Sequence, residues 1–336
     1  MRLRNKQLLW LISFVLAGAM IVQPQRTTAQ EQKERLDTIK IDTDLVVLRI
    51  TVSDQQGRAA MHLRQDAFKV YEDGVEQHLS FFSDEESPVS WGLVLDRSGS
   101  MMEMISDVYD AALHVIDEGT SRDETFILTF NKQPEMVIDF TPERHRLENS
   151  VLGLRAEGET ALYDAVEFAL DNLKNAKNRK RVLVVVTDGE DNASRLKFRD
   201  LIERAEEEDA VIYTVGMFGE MGESSGLLAK MLGTGSGDGQ AELKKLAEVT
   251  GGLAHFPKNV DQCRSVMREI AREVSQQYSL GYYPLNKERD GKWRGIKVAV
   301  NQNRGSSRLV ARTRSGYYAR KALSGNQSGS ANWKEF

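Results

Sequence analysis

Five oxygen-bearing side chains fall where apolar segments give way to turns. Asp96, Ser98 and Ser100 follow an apolar run at 89–95, Thr160 lies in GETALYDA (158–165), and Asp188 follows the most apolar run, 182–186. The alternate spacing of Asp96, Ser98 and Ser100 lets three oxygens point one way from a tight loop, and Gly99 permits the turn. Two carboxylates and three hydroxyls are hard donors of low total charge. Such a set suits magnesium, which keeps some of its waters and prefers octahedral geometry. For each serine the alternative is to cap the helix that follows. The five groups together favour a cation, because clustered carboxylates are costly without one.

Other chemistries fit less well. The five histidines, at 62, 78, 114, 145 and 255, are scattered and none adjoins these residues. No zinc-like spacing occurs. The stretch RSGSM lacks the frame of a serine-hydrolase nucleophile elbow. A phosphatase using Asp96 as nucleophile would want a second acid where Ser98 stands. Asp191, after DGE, reads either as an acid supporting the site from behind or as plain turn chemistry, and the turn is the stronger reading.

The elements that must position these residues follow from periodicity. The segments 44–53, 68–71 and 75–82 have strand character, the last two joined by the turn at 72–74. Residues 83–88 form a polar linker. Strands are then expected at 89–95, 125–130, 136–140, 182–186, 211–215 and 253–256. Helices are expected at 102–118, from Thr141-Pro142 to about 154, and at 161–173, 196–208, 242–250 and 260–274. Alternation of this kind predicts a parallel sheet with helices on both faces, and ligands bind outside the carboxyl ends of such strands. After 277, three further strands are expected at YSLGYYP, WRGIKVAV and RLVARTR, pairing with the N-terminal ones. The expected fold class is therefore α/β. A Rossmann-like, doubly wound, mostly parallel sheet is inserted between the strands of a small all-β module.

The combination D-x-S-x-S after a buried strand, G-x-T-A-L before a helix, and T-D-G after another buried strand resembles the von Willebrand factor type A domain. The resemblance covers about 89–275 and includes the order of elements. It implies a metal-ion-dependent adhesion site in which Ser98, Ser100 and Thr160 coordinate through hydroxyls. Asp96 and Asp188 would bind the metal directly or through water, and one position would stay open for a partner's carboxylate. The outer strands are similar to those of a bacterial secreted subgroup carrying this domain. Arg97 occupies the variable position of the motif, where it could assist an acidic ligand or face solvent.

The totals bound the setting. The chain has 336 residues, 28% charged and 40% hydrophobic, which is ordinary globular composition. Arg2, Arg4 and Lys6 precede an apolar run at 8–22, and Thr27 and Ala29 suit a cut before Gln30. That is the pattern of a secretory signal over 1–29, with an uncleaved anchor as the alternative. No cysteine follows the run, which argues against a lipid anchor, and the single Cys263 excludes an intrachain disulfide. Losing 1–29 removes four basic groups and takes the formal net charge from -5 to -9. Such acidity argues against nucleic acid as partner.

The expected organisation is a signal at 1–29, β strands and linker at 30–88, and the metal-site domain at 89–275. C-terminal strands at 276–320 and a disordered tail at 321–336 follow. A glycine-rich stretch at 217–239 reads as a mobile surface insertion. The expected function is an exported, non-enzymatic adhesion module, secreted, periplasmic or at the cell surface, with no membrane span after signal cleavage. Its bound cation would be Mg2+, with Mn2+ or Ca2+ as substitutes, and its partner a protein supplying an Asp or Glu. The alternatives are a magnesium-dependent hydrolase, or a module whose metal only stabilises the fold.

Overall fold

The computed structural model describes residues 45–102, 105–117, 119–217, 239–301 and 308–321. The expected signal at 1–29, all but the ends of the glycine-rich stretch 217–239 and all but the first residue of the tail lie outside the described residues.

The central sheet has six strands. They are β5 (Val89–Asp96), β6 (Glu124–Phe130), β7 (Pro134–Thr141), β8 (Lys180–Thr187), β9 (Val211–Gly216) and β10 (Ala254–His255). Their order across the sheet is β10-β9-β8-β5-β6-β7. All neighbours are parallel except β7, which returns antiparallel to β6 as an edge strand. The sheet is thus mostly parallel, as the alternation of elements predicts. Strands β5, β6 and β9 are buried along their whole length, because both faces are covered.

Alternate residues of each strand feed two cores. On one face Trp91, Leu93 and Leu95 pack with Val108 and Ala112 of α1 (Ile105–Leu113), Leu147 of α2 (Arg144–Val151), and Met267 and Val274 of α6 (Val260–Ser275). On the other face Val94, Phe126 and Val185 pack with α3 (Leu162–Leu173), α4 (Phe198–Glu207) and α5 (Gly239–Thr250). Gly92 lets β5 and its neighbours close up. A Cβ there would stand 2.4 Å from both Leu183 Cδ2 and Phe126 Cζ. Cys263 is buried on α6, and burial pushes its thiol up to about 11, so it packs rather than reacts.

The remaining strands form two antiparallel four-stranded sheets that share one core. The first has the order β13-β1-β11-β4, with β1 (Val46–Ser53), β4 (Leu79–Ser83), β11 (Tyr278–Tyr282) and β13 (Val310–Arg312). The second has the order β14-β12-β2-β3, with β2 (Phe68–Glu72), β3 (Val75–Gln77), β12 (Trp293–Val300) and β14 (Gly316–Tyr318). Leu48, Ile50, Val70, Tyr278 and Leu280 lie at its centre. Both layers pair strands from before the central sheet with strands from after it, β1 and β4 with β11 in the first and β2 with β12 in the second, so the α/β unit is inserted into the sandwich.

Three local expectations need correction. Residues 75–82 form two strands rather than one: β3 pairs with β2, β4 pairs with β11, and the chain changes sheets at His78. The helix expected from Thr141-Pro142 begins only at Arg144, because Thr141 ends β7 and its hydroxyl accepts the Glu143 N–H. The C-terminal region contributes a fourth strand, β14, two residues after RLVARTR. Asp73, at φ 49°, and Gly74, at φ 83°, make the tight β2–β3 turn that Asp-Gly favours.

Candidate metal site at the sheet edge

β5 ends at Asp96, which is 1% exposed. Its Oδ1 accepts the backbone N–H of Ser98 at 2.8 Å, and its Oδ2 accepts the hydroxyl of Thr187 at 2.7 Å. Thr187 ends β8, so one hydrogen bond ties the carboxyl ends of the two central strands together. Among the described residues no basic side chain forms an ion pair with Asp96; the adjacent Arg97 pairs with Glu135 and Glu157 instead. Burial, and then the charge of Asp188, pushes the Asp96 carboxyl up to about 6, against the opposing pull of Thr187 and Ser98.

The loop then turns into a single 3-10 turn, Gly99–Met101. Ser98 stands at its N-cap yet makes no side-chain cap bond. Instead the Ser98 and Ser100 hydroxyls lie 3.0 Å apart. That spacing matches adjacent ligands on one octahedral magnesium, which at about 2.1 Å from the ion lie about 3 Å from each other. Gly99 does not supply the turn through a special backbone conformation. The left-handed glycines here are Gly158, at φ 83°, and Gly189, at φ 85°.

A second loop is stitched to the first. Glu157 N–H donates to Arg97 O at 2.8 Å, and Gly99 N–H donates to Gly158 O at 3.0 Å. Thr160, 3% exposed, follows directly. Its N–H donates to Asn192 Oδ1 at 2.9 Å, and its carbonyl accepts the N–H groups of Asn192 and Ala193. Asp191 Oδ1 accepts from Leu162 N at 2.8 Å and from the Ser194 hydroxyl at 2.6 Å, capping α3 just beyond Thr160. Asp188 follows β8 and is half-buried, its Oδ1 accepting Glu190 N–H at 3.4 Å.

The backbone bonds therefore bring the loops bearing Asp96, Ser98, Ser100 and Thr160 together, and Asp188 comes within electrostatic reach of Asp96. The donor set fits a hard divalent cation: a buried carboxylate with no ion-pair partner among the described residues, a second carboxylate beside it, and converging hydroxyls. Among the described residues no three His, Cys, Asp or Glu side chains form a metal-holding group, so hydroxyls must supply part of any coordination here.

Three contributors escape a reading by motif. Thr187 is part of T-D-G, but its bond to Asp96 depends on the strand pairing. Asn192 and Asp191 look like turn residues and in fact hold the Thr160 loop. Arg97 turns to carboxylates of this chain rather than freely to solvent. It is 15% exposed in its side chain and pairs with Glu135 at 2.9 Å and Glu157 at 3.7 Å.

The family model of the von Willebrand factor type A domain matches residues 92–190, and the chain carries such a domain there. No curated protein matches the chain. Several solved structures resemble it. An aerotolerance-related membrane protein from Bacteroides fragilis is 15% identical, with 55% of this chain and 99% of that one covered at a TM-score of 0.43. The vWF domain of the type V pili tip protein Mfa5 from Porphyromonas gingivalis is 10% identical, with 56% and 95% covered at 0.44. A von Willebrand factor type A protein from Catenulispora acidiphila is 12% identical, with 84% and 75% covered at 0.47.

Proposed function

We propose that this protein is an exported, metal-dependent protein-binding module that captures a partner's Asp or Glu at the sheet edge. Asp96, Ser98, Ser100, Thr160 and Asp188 would hold magnesium, with manganese or calcium as substitutes. The cation, when bound, supplies a Lewis-acidic coordination position for one oxygen of the partner's carboxylate. Asp96 and Asp188 bring two negative charges and the hydroxyls bring none, so the cation keeps its attraction for a further anionic oxygen. Thr187 and the Ser98 N–H orient Asp96, and the Gly99–Gly158 bond holds the Thr160 loop beside it.

The single observation that carries this reading is the arrangement around Asp96. A carboxylate 1% exposed has no ion-pair partner among the described residues, and two serine hydroxyls beside it meet each other rather than cap a helix. A buried charge left this way is costly, and a divalent ion removes the cost. The type A domain match over 92–190 supports a binding role. Placement outside the cytoplasm rests on the basic and apolar pattern of residues 1–29. Among the described residues no helix is long and apolar enough to cross a membrane.

The test is capture from the native cell envelope by immobilised protein, in magnesium and in chelator, with wild type, Asp96→Ala and Ser98→Ala. A partner retained only by wild type in magnesium, and lost when its own contacting Asp or Glu is changed to Ala, is the expected result. Equal retention by a folded Asp96→Ala in chelator would place recognition elsewhere.

A further inference from the structure

At the opposite end of the central sheet, where it meets the sandwich, cationic side chains gather around too little negative charge. Arg49 lies on β1, and its Nη1 donates to a neutral partner, the Ser279 hydroxyl, at 2.7 Å. The β1–β13 register pairs Thr51 with Arg312, and continuing it by two residues sets Arg314 opposite Arg49. Arg314 Nη2 donates to Val47 O at 3.1 Å, two residues from Arg49 on the same strand. Two like charges at facing positions repel. Arg179, just before β8, adds a third charge felt by Arg49, and Lys180 beside it is buried within reach of Arg49.

Asp209 acts on two of the arginines, Arg49 and Arg314, while Asp123 and Glu86 act on Lys180. Asp209 Oδ1 lies 3.8 Å from Arg314 Nη1, and its side chain is 54% exposed. Burial first, and then the Arg179 and Arg314 charges, hold Arg49 below its ordinary value against the opposing pull of Asp209. Arg314 Nε is buried with no hydrogen-bond partner; Arg312 Nη1 also lacks one, but its Nη2 is already paired with Glu273 at 2.6 Å. A guanidinium stays charged and offers a planar fork of donors that matches an oxyanion. Buried donors of this kind usually have partners.

We propose that Arg49, Arg179 and Arg314 form a site for a small tetrahedral oxyanion, phosphate or sulfate, in the seam between the sandwich and the inserted domain. The anion offsets the repulsion between Arg49 and Arg314 and gives unused guanidinium donors charged acceptors. Arg49 and Arg314 belong to the sandwich and Arg179 to the central sheet, so a bound anion fastens the two together. Asp209 competes with it for the same donors.

The experiment is thermal unfolding of the mature chain with chelator present, so that divalent cations at the opposite edge play no part. Inorganic phosphate is titrated at low millimolar concentration against chloride of equal ionic strength, below the range where excluded-solute stabilisation matters. Wild type should show a saturable rise in Tm with phosphate, and sulfate should act likewise. Arg179→Gln, at an exposed position, should weaken the apparent phosphate affinity about tenfold, the loss of one charge-assisted contact. Arg49→Gln should abolish the response, and Asp209→Asn should strengthen it. No saturable response in wild type, or the same response in Arg179→Gln, overturns the proposal even if Arg49→Gln fails to fold.

Discussion

The hydroxyl of Tyr282 donates to Glu72 Oε2 at 2.8 Å, and Tyr317 donates to the same oxygen at 2.9 Å. Glu72 is 2% exposed on β2, Tyr282 lies on β11 of the other sheet, and Tyr317 lies on β14. One buried carboxylate oxygen therefore clips the two sheets of the sandwich. Bonds to a charged acceptor contribute about 1.5–3 kcal/mol. Tyr282→Phe should cost about that much in denaturant unfolding. Because both tyrosines share one acceptor, adding Tyr317→Phe should give a non-additive total. Strict additivity would show that the two bonds act independently.

Metal should stabilise the fold by linkage. Magnesium at about 100 times its Kd should raise stability by about 2.7 kcal/mol in wild type. Asp96→Ala should abolish the rise, and Ser98→Ala should reduce it. Calorimetric unfolding in magnesium and in chelator measures this. Identical melting of wild type in the two conditions would leave the edge without a metal.

Asp191 should act on the site through Thr160. Asp191→Ala removes acceptors from Leu162 N–H and the Ser194 hydroxyl and should cost about 1 kcal/mol, the usual value of a lost cap. It should also weaken magnesium affinity, because the α3 start and the Thr160 loop move together. Asp191→Asn keeps an acceptor oxygen and should fall between. Calorimetric titration with magnesium separates the three.

Lys180 sets a pH dependence. It is 3% exposed, and burial, then the charge of Arg49, lowers its amine to about 8 from the ordinary 10.5, with Asp123 and Glu86 opposing. From about pH 8 upward the folded chain has released a proton that the unfolded chain still holds. Stability must therefore rise with pH over that window. Above about pH 10 ionising tyrosines oppose it, since burial raises Tyr213 and Tyr282 above their ordinary values. Wild type should gain on the order of 1–3 kcal/mol relative to Lys180→Met between pH 8 and 10. Parallel stability curves for the two proteins would contradict this.

Gly92→Ala tests the close approach that lets β5 reach the edge. The added Cβ would press on Leu183 and Phe126, and overpacking of this kind costs about 1–3 kcal/mol. Unfolding in urea should reveal the loss, with the magnesium response reduced if β5 shifts Asp96.

The central sheet was legible because its inner strands are buried on both faces, and continuous runs such as 182–186 then need no partner to be recognised. The acid at the end of β5 and the serines after it were legible for the same reason, as a polar cluster at an abrupt boundary. Pairings across long separations were not legible. Arg97 meets Glu135 and Glu157 only after β6, β7 and the 157–160 loop have come together. The break at His78 was hidden because β3 and β4 each have strand character, and their separation comes from different partners, β2 and β11. Thr187 and Asp191 are ordinary turn-forming types whose importance lies in what the fold sets opposite them.

The inserted domain leaves the sandwich after β4 and returns to it at β11, and Ser83 and Ser279 of these strands are paired neighbours. Tension applied between Leu45 and Lys321 would therefore be borne by the antiparallel ladders of the sandwich. The two attachment points of the inserted domain lie side by side, so its sheet sits outside the line of force. A tether pulled at both ends would strain the β1–β11 and β12–β14 hydrogen bonds before it distorted the loop that holds Asp96. The edge that carries Asp96 and the ladders that would take the tension are then separate parts of one chain.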